Sequence, residues 1–108
     1  MRMFLCAAAL AGVLTTAADA QAAFGDRALR RGSHGHDVRV LQAWLTRLGF
    51  ETDVDGRFGR GTVRSVRKYE RANQQRVDGL VSRKQARGIR KRIEALELWK
   101  KMLSMLFE

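Results

Sequence analysis

The stretch that decides the fold reads Val54-Asp55-Gly56-Arg57-Phe58-Gly59-Arg60, and it recurs at an offset of 23 as Val77-Asp78-Gly79-Leu80-Val81-Ser82-Arg83. In each copy the aspartate can accept local backbone hydrogen bonds and the glycine permits a positive φ, so the pair predicts a tight turn. The apolar residue two positions after the glycine can close the start of the following helix. The sequence therefore predicts two consecutive units of a turn followed by a helix.

Helical patterns surround these two turns. Before the first turn, Asp37 is suited to be an N-cap or a first-turn acid, and Gly49 is suited to end a helix, which predicts a helix over 37–48. Its apolar residues recur at steps of three and four: Val38, Leu41, Leu45 and Leu48, with Trp44 beside them.

Two further helices follow the turns. The second is expected to begin near Thr62 and to fade at Asn73, with Val63, Val66 and Tyr69 facing inward. The third is expected after Ser82, because the segment 82–85 has the form of a capping box, a serine followed three residues later by a glutamine. Nothing breaks the pattern before Glu108, so the third helix is predicted to be long.

The first 20 residues have the pattern of a secretory signal peptide. Arg2 gives a positive start, residues 4–13 are apolar, and Ala18-Asp19-Ala20 places small residues where a signal peptidase cleaves. We expect cleavage after Ala20, with cleavage after Ala22 as the alternative. The apolar run is shorter than the ~20 residues of a membrane-spanning helix. An uncleaved anchor or a buried helix is the other interpretation, but the pattern favours secretion to the periplasm or cell envelope.

Composition narrows the classes of protein further. The chain has 108 residues, a formal net charge of +10 and no proline, which excludes collagen-like, proline-rich and acidic disordered classes. Its one cysteine, Cys6, lies in the predicted signal peptide. The mature chain would therefore have no disulfide, and packing alone must hold so small a domain together.

Together these motifs resemble the peptidoglycan-binding domain family of bacterial cell-wall hydrolases. The resemblance covers about Leu29 to Ile93 and implies an all-α fold, a three-helix bundle with two Asp-Gly turn/helix repeats, here with an extended C-terminal helix. Glu70 departs from the family pattern, which usually has a glutamine after the aromatic. In the second repeat Ser82 replaces a glycine and Gln85 a threonine. The matching residues are Gly32, Gly35, Val38, Leu41-Gln42, Leu45, Leu48-Gly49-Phe50, Asp55-Gly56-Arg57-Phe58-Gly59, Thr62, Val66, Tyr69 and Val77-Asp78-Gly79.

The expected organisation has four parts. Residues 1–20 are the signal peptide, 21–28 a short connecting segment, 29–93 the peptidoglycan-binding-like domain and 94–108 an amphipathic extension of the last helix.

Catalysis requires a nucleophile or a metal with a base in place, and the mature sequence has no cysteine and only two histidines. His34 and His36 could hold zinc with Asp37, but a solvated glycine-rich loop explains them better. Asp53 and Asp55 could imitate a catalytic carboxylate pair, but turn formation accounts for them. In the resembling family catalysis resides in a separate domain. We therefore expect a non-catalytic binding module, without metal or cofactor.

The resemblance implies that peptidoglycan is bound in a shallow groove beside the first helix and the first Asp-Gly turn. Alternatively, Gly56 and Phe58 serve turn and core, and Gln42 caps the loop backbone. The ligand-binding residues implied by the family are Gln42, Gly49, Phe50, Asp55, Gly56, Phe58, Gly59 and Thr62.

The positive charge allows two classes of partner. Nucleic acid would be attracted to a cluster of basic residues on the second helix, but no nucleic-acid-binding motif is present, so no nucleic acid is expected. Anionic groups of a bacterial envelope fit the same charge. The basic cluster is Arg60, Arg64, Arg67, Lys68 and Arg71.

The last 15 residues add an apolar stripe that the domain does not require. This segment can fold back, pair with a second copy, dock on a hydrolase or lie on a membrane, with no transmembrane span expected. It supports an alternative function, an envelope interaction protein that uses the wall-binding fold as a scaffold. Self-association or partner docking would then use Leu96, Trp99, Leu103 and Leu106.

Overall fold

A computed structural model describes residues 17–107. Most of the predicted signal peptide, residues 1–16, lies outside the described residues. The described part contains four helices and no strand: α1 (Ala17–Ala23), α2 (His36–Arg47), α3 (Arg60–Ala72) and α4 (Arg83–Leu106). The all-α prediction and the three principal helices are therefore confirmed.

The core lies where α2, α3 and α4 meet. Val38, Leu41 and Leu45 on α2 are fully buried, together with Tyr69 on α3 and Ile89 on α4. Their spacing of three or four residues places them on one face of each helix, as the sequence pattern predicts. Burial of these faces supplies the main stabilising free energy of so small a domain.

Phe24 extends the core beyond the predicted domain start at residue 29. Its ring is buried and packs edge-on against Trp44, with the ring centroids 5.2 Å apart. Arg90 holds the same segment, because its Nη2 donates to the carbonyl oxygens of Gln21 and Phe24, both at 2.6 Å. The predicted connecting segment is thus packed against α4.

Several helix boundaries differ slightly from the predicted ones. α2 begins at His36 with Gly35 as its N-cap, so Asp37 is a first-turn acid and not the cap. α3 begins at Arg60, two residues before Thr62. Ser82 does cap α4, accepting from Gln85 N–H at 3.1 Å, but the Gln85 side chain turns away to Glu70. The capping box is therefore only half formed.

α4 continues to Leu106 without folding back. Ile93 is its last buried residue, and Leu96 and Leu103 are half-buried. Arg47 on α2 forms an ion pair with Glu97. No helix within residues 17–107 is long and apolar enough to cross a membrane. The exposed large apolar residues of this extension are Leu98, Trp99, Met102, Met105, Leu106 and Phe107.

Candidate functional site

Two loops are joined by backbone hydrogen bonds at one end of the molecule. Gly32 N–H donates to the Phe58 carbonyl and Phe58 N–H donates to the Ser33 carbonyl, both at 2.9 Å. Gly35 N–H donates to the Gly56 carbonyl at 3.0 Å. The two loops therefore form one unit, although more than 20 residues separate them in sequence.

A cleft of about 630 Å³ opens on this unit, and we call it the loop cleft. Its exposed side chains are mainly basic or imidazole groups, and Asp55 is its one acidic residue. Such a surface can bind carboxylates, amides and hydroxyl groups. The cleft is lined by Gly32, Ser33, His34, Gly35, His36, Arg39, Asp55, Gly56, Arg57, Phe58 and Gly59.

Gly56 is required for this arrangement. Its φ is +78°, and a Cβ at this position would lie 3.3 Å from the Gly35 carbonyl oxygen. A side chain would therefore be strained and would push the two loops apart.

The first Asp-Gly turn is held from inside by Gln42, which is fully buried. Gln42 Oε1 accepts from the N–H groups of Asp55 at 3.0 Å and Gly56 at 2.8 Å. Its Nε2 contacts three acceptors: the Arg57 carbonyl at 2.8 Å, Asp55 Oδ1 at 3.0 Å and Thr62 Oγ1 at 3.1 Å. One amide thus fixes the turn and the start of α3 relative to α2.

The second Asp-Gly turn is held in the same way by a carboxylate. Glu70 Oε1 accepts from the N–H groups of Asp78 at 3.1 Å and Gly79 at 2.9 Å, and Oε2 accepts from Gln85 Nε2 at 3.2 Å. In the first unit Gln42 donates to Thr62, whereas in the second unit Glu70 accepts from Gln85. The departures of Glu70 and Gln85 from the family pattern therefore compensate each other. Burial raises the pKa of Glu70 above its ordinary value.

The acids of the turns are held in the charged form. The pKa of Asp55 is lowered by the Arg57 N–H and then by the Gln42 amide, and the Leu80 N–H lowers that of Asp78. These short contacts are the local hydrogen bonds expected of Asp-Gly turns.

An ion pair supports the other wall of the loop cleft. Arg27 donates to both carboxylate oxygens of Asp37, at 2.8 and 3.0 Å, and also to the His34 carbonyl at 2.8 Å. The hydrogen bond from Arg27 is the main reason that the pKa of Asp37 is lowered. The pair fixes the loop that carries His34 to the first turn of α2, which begins at His36.

The residues predicted from the family resemblance divide into three groups. Asp55 and Gly59 are exposed in the loop cleft, and Gly56 and Phe58 lie in its floor with Phe58 almost fully buried. Gln42 and Thr62 are buried behind it and face each other. Gly49 and Phe50 lie outside its lining, where the Phe50 ring packs on Tyr69.

Sequence analysis missed two cationic side chains of the cleft, Arg39 and Arg57. It considered His34 and His36 as zinc ligands and preferred a solvated loop for them, without linking them to ligand binding. The one local signal for Arg57 was its place inside the Asp-Gly turn motif. Arg39 lies on the exposed side of α2, and only the pairing of the loops brings it to the cleft.

Within residues 17–107, no group of three or more His, Cys, Asp or Glu side chains is placed to hold a metal ion. Asp53 and Asp55 lie on the exposed turn, where Asp55 bonds to Gln42 and Arg57.

Comparison with known proteins gives one family. The putative peptidoglycan binding domain matches residues 34–87. The chain is 43% identical over 60 residues to a spore cortex-lytic enzyme of Halalkalibacterium halodurans, covering 55% of the chain and 18% of the enzyme. It is 41% identical over 63 residues to the spore cortex-lytic enzyme of Bacillus cereus, covering 57% of the chain and 24% of the enzyme. The chain thus spans about a fifth of the length of these relatives.

Two solved structures have a similar fold. The SleB N-terminal domain matches with a TM-score of 0.60 and 36% identity, over 63% of this chain and 94% of that domain. A peptidoglycan-binding protein from Clostridioides difficile, in complex with glutamine hydroxamate, matches with a TM-score of 0.58 and 25% identity. That match covers 60% of this chain and 41% of the other.

Proposed function

The chain belongs to the putative peptidoglycan binding domain family, and on that premise we propose that it is a secreted module that binds peptidoglycan without cleaving it. The observation that carries the proposal is the family match over residues 34–87, which include nine of the eleven residues that line the loop cleft. The matched enzymes are much longer than the matched region, so their lytic activity need not accompany it.

We assign the ligand contacts to the exposed groups of the loop cleft. Asp55 can accept hydrogen bonds from amides or hydroxyl groups, and Arg39 and Arg57 can pair with carboxylates of the peptide part of the wall. Gln42 and Thr62 act behind the surface by fixing the turn. Contact of Gly49 or Phe50 with the ligand stays a prediction.

Co-sedimentation with purified cell-wall sacculi tests this assignment. The double variant Arg39→Ala/Arg57→Ala should lose at least tenfold in affinity, which is the order expected for two charge-assisted contacts. Arg67→Ala/Arg71→Ala removes the same charge from α3 outside the cleft and should bind nearly as well as the unchanged protein. Equal losses in both variants would show that net charge, not the cleft, drives binding.

The same samples test the non-catalytic role. The turbidity of a wall suspension should stay constant while the protein binds it. A steady fall in turbidity, absent with buffer alone, would refute that part of the proposal.

Secretion rests on the pattern of residues 1–20. Cleavage after Ala20 would leave on the mature chain both carbonyls that Arg90 contacts, those of Gln21 and Phe24. N-terminal sequencing of exported protein should begin at Gln21 or, with the alternative site, at Ala23. An intact Met1 on the exported protein would contradict it.

The alternative function, protein–protein interaction through the C-terminal extension, is less well supported. Of the four residues predicted for it, Leu96 and Leu103 are half-buried, and only Trp99 and Leu106 are exposed. A continuous seam of all four residues is therefore not available on the surface of the described chain.

A further inference from the structure

One exposed face of α4 changes character halfway along the helix. Its residues follow each other at steps of three or four, so they lie on the same side of the helix. The first three are cationic and the last three are large and apolar. In order, this face consists of Lys84, Arg87, Lys91, Ala95, Leu98, Met102 and Met105, all exposed.

The apolar half of this face is unusually accessible. Leu98 is 61% exposed and Met105 is 72% exposed, and Trp99 and Leu106 widen the same surface. A cluster of large apolar side chains in contact with water marks an interaction surface. From Ala95 to Met105 the helix rises roughly 15 Å at ~1.5 Å per residue. The apolar part of this face is therefore about half as long as a bilayer core is thick.

The charges of α4 and of the whole chain indicate which class of partner this face can bind. Glu94 and Glu97 are the only acidic residues of α4, and Glu97 is paired with Arg47. The three cationic side chains of the exposed face have no carboxylate within ion-pair distance among residues 17–107. They are Lys84, Arg87 and Lys91. A second copy would bring another +10 chain to the same place. Like charge therefore opposes self-pairing and favours an anionic partner.

We propose that α4 docks on the surface of an anionic lipid bilayer. Leu98, Met102 and Met105 enter the boundary between headgroups and acyl chains, and Trp99 lies at the level that tryptophan prefers. Lys84 and Arg87 contact headgroup phosphates. The proposal is independent of peptidoglycan binding, because it uses no residue of the loop cleft, and it would tether a wall-binding domain to a membrane surface.

The two tryptophans make the test direct. Trp44 is buried against Phe24 and Arg90, so its emission should not respond, whereas Trp99 is exposed. Adding phosphatidylglycerol vesicles should shift the protein's emission to shorter wavelength and protect Trp99 from an aqueous quencher. Phosphatidylcholine vesicles should give little change, and added salt should weaken the effect by screening. Trp99→Phe should abolish the shift but not vesicle sedimentation.

Matched variants distinguish the apolar half of the α4 face from other exposed apolar groups. Leu98→Ser/Met102→Ser should lower vesicle affinity at least tenfold, because two inserting side chains are removed. Val54→Ser/Val77→Ser changes two exposed valines elsewhere and should bind normally. The two variants and the unchanged protein have the same N-terminus, so any binding through residues 1–20 cancels in the comparison.

Three results would overturn the proposal: no emission shift with anionic vesicles, equal binding to neutral vesicles, or equal loss in the two double variants. A dimer in sedimentation velocity that Leu98→Ser/Met102→Ser dissociates, without vesicle binding, would assign the face to a second copy instead.

Discussion

Gln42 and Glu70 each hold one Asp-Gly turn, but Gln42→Glu and Glu70→Gln should have unequal effects on the stability of the fold. Gln42→Glu keeps the acceptor oxygen for Asp55 N–H and Gly56 N–H but replaces the Nε2 donor by a second oxygen. That oxygen would face the Arg57 carbonyl and the Asp55 carboxylate, neither of which can donate. Only the Thr62 hydroxyl beside them can turn to donate to it. Glu70→Gln has no such conflict, because the Gln85 amide can reverse and present its oxygen.

The magnitude follows from the contacts. Gln42 is fully buried and its Nε2 supplies two hydrogens. Loss of a buried hydrogen bond costs about 1–3 kcal/mol, so Gln42→Glu should cost roughly 2–6 kcal/mol at neutral pH. A small domain has only about 5–15 kcal/mol of stability in total. Glu70→Gln should stay within about 1 kcal/mol of the unchanged protein.

Urea unfolding followed by far-UV circular dichroism measures both variants. With a urea dependence of about 1 kcal/mol per molar, a loss of 3 kcal/mol lowers the midpoint by roughly 3 M. If Gln42→Glu unfolds within about 1 M of the unchanged protein, or if Glu70→Gln is destabilised equally, the account of the two turns is wrong.

Three further predictions concern stability. Phe58→Ala should cost about 3–5 kcal/mol in urea unfolding, because the ring is almost fully buried, whereas a loss below about 1 kcal/mol would mean that the ring is not part of the core. Burial raises the pKa of Glu70, so the contribution of this carboxyl group to folding stability is complete below the pKa that it has in the unfolded chain. That contribution is lost as pH rises through the pKa that Glu70 has in the folded protein. Glu70→Gln should therefore gain stability relative to the unchanged protein as pH rises, and a gain on acidification instead would contradict the sign. Deletion of residues 95–108 should cost about 1–3 kcal/mol of stability, because it removes half-buried Leu96 and Leu103 and the Arg47–Glu97 pair. The helical core should remain folded. Complete unfolding would show that the extension is part of the core.

Local patterns were sufficient to predict the three principal helices. The apolar residues of α2 recur with the helical period, Gly49 follows its end, and the Asp-Gly turns precede α3 and α4. The alternative role for Gln42, capping the loop backbone, is the geometry that the structure has. These features depend on residues that are near one another in sequence, or on a motif whose spacing is known.

Long-range contacts could not be predicted in this way. Phe24 joins Trp44 in the core across 20 residues, and no local pattern marks Phe24 as a core residue. Arg39 reaches the loop cleft only because the loop at Gly35 pairs with the turn at Gly56. Glu70 and Gln85 are 15 residues apart, and only the hydrogen bond between their side chains explains why both depart from the family pattern.

The central claim is that peptidoglycan binds in the loop cleft, and the second Asp-Gly turn provides an internal control for it. Amide chemical shifts measured by NMR during titration with soluble peptidoglycan fragments test the claim most directly. The account predicts shifts for the N–H groups of Gly35, Gly56 and Gly59, and an unchanged signal for Gly79, which occupies the equivalent turn outside the cleft. Shifts centred on Gly79 or on residues 94–107, with the cleft signals unchanged, would contradict it.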